Sequence, residues 1–128
     1  MLKLVLIAAG GGVGSVLRYL VAGWVQMLAG GAFPLGTLAV NVTGCLVIGF
    51  LHAVFTTGPV LVREEYKLAL TVGLLGGFTT FSTFGLETVN LAGDRQMFAA
   101  LLNAVASLTF GCLAAWAGFR IAYNWFGV

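Results

Sequence analysis

Apolar residues dominate this chain in four long blocks, broken only by short polar or glycine-proline punctuation. A helix needs roughly 20 apolar residues to cross about 30 Å of hydrocarbon. The blocks predict helical spans over about 2–28, 35–55, 66–91 and 97–126, a single four-span domain over residues 1–128. Gly30, Gly31 and Pro34 end the first block. Gly58-Pro59, followed by Arg63, Glu64 and Glu65, separates the second from the third, and Gly93-Asp94-Arg95 separates the third from the fourth. Both residue types disfavour a continued helix. Trp24, Tyr66, Tyr123 and Trp125 fall near span ends, where amphipathic rings favour the membrane–water interface. The predicted fold class is an all-α integral membrane protein. Its connections are too short to hold a soluble domain, so function belongs within the helices or at their mouths.

Polar residues inside the spans carry the most information, because each is costly in hydrocarbon and calls for a partner or a purpose. The third span reads Gly73-Leu74-Leu75-Gly76-Gly77-Phe78-Thr79-Thr80-Phe81-Ser82-Thr83-Phe84-Gly85. Adjacent glycines and hydroxyl-bearing threonines near mid-span are poor helix material. One reading is a continuous helix with small residues at a packing face. The other is a break at mid-membrane depth, which survives only where protein covers it or where it lines a wet path. Such breaks recur as ion sites, with freed carbonyls toward cations and helix N-termini toward anions. Phe78, Phe81 and Phe84 form a row that suits a core equally well.

The other spans add polar faces at helical spacing. Asn41, Cys45, Gly49 and His52 follow the second; Asn103, Ser107 and Gly111 recur every four residues on the fourth and share a face. These side chains either bridge helices or line a pore. His52, near a span end, reads as a hydrogen-bonded structural histidine. Gly10 and Gly14 read as a close-approach face. Arg18 lies about ten residues before the end of its span, or about 15 Å by helical rise. A guanidinium at that depth must snorkel, reach a water-filled vestibule or find a partner. Glu87, the one acid well inside a span, is expected to partner a polar side chain.

Composition agrees. Hydrophobic residues make up 60% and charged residues 8%, where a soluble domain carries about 25% charged. The net charge of +2 and the scattered basic residues argue against a nucleic-acid partner. Cys45 and Cys112 sit in separate apolar runs and read as packing residues. The N-terminal apolar run to Leu28 is too long for a cleaved signal and reads as a retained first span. Lys3, Arg63, Lys67 and Arg120 fall on the side of the termini and Arg95 on the other, with Arg18 ambiguous. The bias leans toward termini inside, and so few flanking charges also suit insertion in both orientations. No nucleophile–base pair, metal cluster or phosphate loop is visible, so an enzyme is not expected.

The run Gly76-Gly77-Phe78-Thr79-Thr80-Phe81-Ser82-Thr83-Phe84 resembles the third-helix signature of the Fluc (CrcB-type) fluoride channel family. Asn41-Val42-Thr43-Gly44 and Gly14-Ser15-Val16-Leu17-Arg18-Tyr19 resemble its companion motifs, and the similarity spans essentially the whole chain. The resemblance implies a third helix broken mid-membrane and an antiparallel, dual-topology homodimer in a bacterial inner membrane. Two fluoride pores per dimer would serve fluoride resistance by letting the ion leave passively. It implies a structural sodium ion at the dimer centre, held by the Gly76 and Thr79 carbonyls. Phe81 and Phe84 would be pore phenylalanines and Asn41 a fluoride donor. Ser82, Thr83, Asn103 and Ser107 would belong to the polar lining, and Arg18 would face an aqueous vestibule. The fourth helix departs from some relatives, which carry a tyrosine and a further hydroxyl where Asn103 and Gly111 stand here. A proton-coupled exporter of small-multidrug type is the alternative, although that chemistry usually needs a titratable carboxylate within the membrane.

Overall fold

The computed structural model describes residues 1–57 and 61–126. Helix α1 is Leu2–Ala29, α2 is Leu35–Thr57 and α6, the last, is Met97–Phe126. Between them the third span runs as α3 (Glu64–Leu68), a wide-turned π-helical stretch (Ala69–Leu75), α4 (Gly76–Phe78) and, after a break, α5 (Phe81–Gly93). Four spans long and apolar enough to cross a membrane are present among the described residues, the third of them covering Glu64–Gly93. The chain is therefore an all-α, multi-pass membrane fold with an interrupted third span. Observed bounds differ from the expected ones by at most two residues at any end. The expected turn at Gly58-Pro59 lies outside the described residues.

Connections close as their residues dictate. Gly30 and Gly31 adopt φ of 62° and 96°, conformations that glycine reaches without strain. Gln26 secures this turn: its Nε2 donates to the Gly31 and Phe33 carbonyls at 3.0 and 3.1 Å, and its Oε1 accepts from the Gly36 amide at 3.1 Å.

Small residues set the packing. A methyl on Gly49 would overlap the Ala115 backbone, and one on Gly118 the Leu46 carbonyl, so α2 and α6 lie backbone to backbone. Membrane helices gain contact this way because lipid provides no hydrophobic drive for their association. Val40 and Asn103 are the largest side chains that are fully buried. Bulky residues such as Leu4, Trp24, Met27, Phe98 and Trp116 point outward instead, toward lipid or another protein.

Of the two pairs expected to disfavour helix, Gly76-Gly77 and Thr79-Thr80, the break falls on the threonines and not on the glycines. Gly76 and Gly77 stay helical, because Gly77 is the site of close approach: a methyl there would come within 2.5 Å of the Gly11 carbonyl oxygen. The chain opens two residues later, at Thr79 and Thr80. The π-helical turn just before the glycines had no signal in the sequence. It falls where Gly73 meets the backbone of Ile7 and Gly10.

Candidate functional site: the interrupted third span

Thr79 (φ −90°, ψ 159°) and Thr80 (φ −152°, ψ 114°) are extended. Their hydroxyls explain part of this. Thr79 Oγ1 donates back to the Leu75 carbonyl at 2.9 Å, alongside the Thr79 amide at 3.0 Å. Thr80 is the N-cap of α5: its Oγ1 accepts from the Thr83 amide at 3.2 Å and donates to Thr83 Oγ1 at 3.0 Å. A threonine hydroxyl here does what an intrahelical carbonyl would otherwise do. Ser82 Oγ lies 3.3 Å from the same hydroxyl.

Asn41 of α2 completes the opening. Its Nδ2 donates to the Thr80 carbonyl at 3.0 Å, and its Oδ1 accepts from the Thr80 amide at 2.8 Å. One carboxamide thus satisfies both polar groups of one extended residue, as a neighbouring strand would. Thr80 is buried, so without this clamp two peptide groups would stand unpaired in a dry environment. One Asn41 N–H remains uncommitted after these two bonds.

The interruption takes the carbonyls at the end of α4 and the amides at the start of α5 out of a continuous intrahelical ladder. The first set concentrates partial negative charge at the end of α4. The second concentrates partial positive charge at the start of α5.

Two cavities flank the break. A polar vestibule of about 600 Å³ is lined by Arg18, Gln26, Thr37, Thr80, Thr83, Glu87 and Asp94, among others. An inner cavity of about 310 Å³ is lined by Asn41, Gly76, Thr79, Thr80, Phe81, Phe84 and Ser107, with Cys45 and further apolar residues. Thr80 belongs to both, so the extended segment stands between them. In the inner cavity the Phe81 and Phe84 rings lie 5.4 Å apart at 49°. Phe81 is 78% exposed on the single chain, an open face that a second surface could complete.

The structure gathers most of the expected residues. Asn41, Phe81, Phe84 and Ser107 line one cavity, together with Gly76 and Thr79. Arg18 and Thr83 line the vestibule, and among the described residues Arg18 forms no ion pair. Ser82 is exposed beside Thr80. Asn103 stands apart: it is 1% exposed and donates to Thr88 Oγ1 at 2.9 Å. Glu87 has its polar partner, since Thr37 Oγ1 donates to Oε1 at 2.7 Å, while its buried Oε2 has none. His52 is exposed beside the Phe119 ring at 6.3 Å, and its imidazole makes no hydrogen bond among the described residues, so the expected hydrogen-bonded imidazole is not what the fold contains. Cys45 packs toward Gly111, whereas Cys112 is exposed.

Sequence reasoning missed Thr80 as the pivot, and Thr37 and Thr88 as partners. A threonine directly before an apolar run is an N-cap signal, so Thr80 was within reach. The other two depend on which helix stands opposite, which spacing within one helix does not reveal.

A multi-pass protein whose third span opens at mid-membrane, with dipole ends and neutral donors facing two cavities, belongs to the class that handles ions within the bilayer. Residues 5–119 match the family described as CrcB-like protein, Camphor Resistance (CrcB), and the chain belongs to that family. It is 50% identical to the "Fluoride-specific ion channel FluC" of Geobacter sulfurreducens over 95% of this chain and 98% of the relative. Proteins of the same description from Geobacter metallireducens and Rhizobium etli are 43% and 45% identical, over 95% and 94% of this chain and 98% and 96% of the relatives.

Proposed function

We propose that this protein is a passive, fluoride-selective channel of a bacterial inner membrane, which lets accumulated fluoride leave down its electrochemical gradient. The observation that carries the proposal is the break itself. It places the α5 N-terminus, the Asn41 amide and two phenylalanine rings against one cavity, in a chain half identical to a fluoride channel.

The chemistry suits the ion. Fluoride is small and strongly hydrated, so a pore must replace its water with donors. Asn41 keeps one free N–H, Ser107 offers a hydroxyl, and aromatic ring edges are electropositive. The N-terminal turn of α5, which begins at Phe81, adds the positive end of a helix dipole. None of these is a full charge, which in low dielectric would hold the ion too tightly to release it. Arg18 sits in the vestibule instead, where it raises the local anion concentration. In this reading Thr83 serves the vestibule, Ser82 serves the exposed edge of the break, and Asn103 stays out of the ion's path.

The same reading makes the working unit an antiparallel, dual-topology homodimer with a pair of pores. Phe81, exposed on one chain, would there meet the second copy. A sodium ion at the dimer centre would take the Gly76 and Thr79 carbonyls of each copy. Those oxygens fit a hard monovalent cation: they are neutral carbonyls, and Gly76 and Thr79 line the same cavity. Two oxygens per chain are too few for such an ion, which is why the site would need both copies. Bound there, sodium would hold the broken helices together and add a positive field near the pores.

Fluoride efflux from liposomes, with chloride as the control anion, tests the function. A fluoride current that follows voltage and ignores a pH gradient is expected. Efflux that needs a proton gradient would overturn it in favour of an exporter, a reading that the family assignment leaves without support. Replacing sodium with a large organic cation tests the central ion; unchanged assembly and flux would remove it from the proposal.

A further inference from the structure

Helix α5 is joined to α6 by a polar chain that the proposed ion path does not use. Asn103 Nδ2 donates to Thr88 Oγ1 at 2.9 Å, and Thr88 Oγ1 donates to the Phe84 carbonyl at 2.8 Å. The direction follows from chemistry. A hydroxyl has one proton, and Thr88 gives it to a carbonyl that can only accept, so Asn103 must be the donor to Thr88. Asn103 is 1% exposed and does not line the inner cavity, whereas Phe84 does. Among the described residues this is the sole side-chain hydrogen bond between α5 and α6. The neighbouring buried positions of α6, Ala100 and Ala106, are smooth and would tolerate sliding. The chain ends on the carbonyl of the residue whose ring faces the cavity.

We infer that Asn103 is a positioning residue: through Thr88 it fixes the α5 turn that carries Phe84, and so sets where that ring stands in the cavity, without touching the ion. This deepens the channel reading, and rests on it for the functional consequence, but the ring's position can be read without any flux. The resemblance made Asn103 part of the polar lining. The geometry gives it a different task, and explains why an amide is useful there: its N–H reaches a hydroxyl on the neighbouring helix.

The experiment places 4-fluorophenylalanine at position 84 and records its fluorine resonance in the full-length protein, beside fluoride efflux from liposomes. Asn103→Leu and Thr88→Val are expected to move or broaden the Phe84 resonance in the same way. Each should lower flux about tenfold, in keeping with interhelical hydrogen bonds of modest strength. The double variant should lose no more than either single one, and Thr88→Ser, which keeps the hydroxyl, should match the parent in both measurements. An unmoved Phe84 resonance in Asn103→Leu would overturn the inference, as would losses that multiply in the double variant. Where Asn103→Leu fails to assemble, Thr88→Val against Thr88→Ser makes the same comparison. A parent protein without fluoride flux would refute the channel reading while leaving the resonance comparison to decide the positioning role.

Discussion

Before the break, the third span meets α1 through glycines; after it, the span meets α2 and α6 through polar side chains. In the first arm, a methyl on Gly73 would come within 2.7 Å of the Ile7 carbonyl oxygen, and one on Gly77 or Gly14 would run into the facing backbone. In the second arm, Asn41 holds Thr80, Thr37 holds Glu87 and Asn103 holds Thr88. Glycine contacts are unforgiving, because backbone cannot move aside. Hydrogen bonds are directional but individually modest, and each can exchange with water or another donor. One span therefore contains a fixed arm and an adjustable arm; the vestibule sits along the adjustable one, and the inner cavity spans the break between them. A channel needs that division: a rigid floor on which a pore wall can be tuned by a few groups.

The largest effect should come from the fixed arm. Gly14→Ala places a methyl on the Leu74 carbonyl and 2.9 Å from the Phe78 amide nitrogen. Over-packing costs about 1–3 kcal/mol and occasionally more; with backbone on both sides the upper end is expected. The share of protein that elutes folded after detergent extraction should fall sharply. Gly12→Ala is the control, since nothing lies within 4 Å of the added methyl, and it should be neutral or slightly stabilising. Equal losses from the two would dissolve the contrast between the arms.

Next comes the clamp. Asn41→Val leaves the Thr80 amide and carbonyl without partners, at about 1–3 kcal/mol for each buried group. Fluoride efflux should be lost while part of the protein still folds, because the fixed arm is untouched. Phe81→Ile and Phe84→Ile sharpen the point: the ring edges go, no hydrogen bond is lost, and efflux should stop with elution unchanged. Normal efflux in the double phenylalanine variant would remove the rings from the pore. Thr80→Ala removes the N-cap of α5, worth about 1 kcal/mol, and should weaken thermal stability less than Asn41→Val.

The same contrast explains what could be read in the sequence. Span ends were legible because glycine, proline and charge interrupt apolar runs at membrane-length intervals, and the last span runs over Met97–Phe126 as expected. The residues of the third span announced an interruption within Gly76-Gly77-Phe78-Thr79-Thr80, but not which of them would open. Propensity marked Gly76-Gly77 and Thr79-Thr80 alike, and tertiary contact with Gly11 and Ser15 keeps the glycine pair helical while the threonines open. Asn41, Phe81, Phe84 and Ser107 were expected together and do share a cavity. Asn103 shares its helix face with Ser107 by spacing, yet faces α5 at its own level, because the helix opposite changes along the length of α6. Periodicity reports the face of a residue, and only the fold reports what stands before that face.

The smallest effect belongs to Thr37→Val. Thr37 donates to Glu87 Oε1 at 2.7 Å, tying the later turns of α5 to the start of α2. Both residues line the polar vestibule of about 600 Å³, so water could take the place of the lost hydroxyl. The cost should be about 0.6 kcal/mol or less, in the range of interhelical hydrogen bonds in membranes. Thermal stability should shift only slightly, and fluoride efflux should stay close to that of the parent. Were Thr37→Val instead as damaging as Asn41→Val, the vestibule would not be wet enough to replace a donor. The second arm would then be fixed along its whole length, and its adjustable character would be confined to the rings themselves.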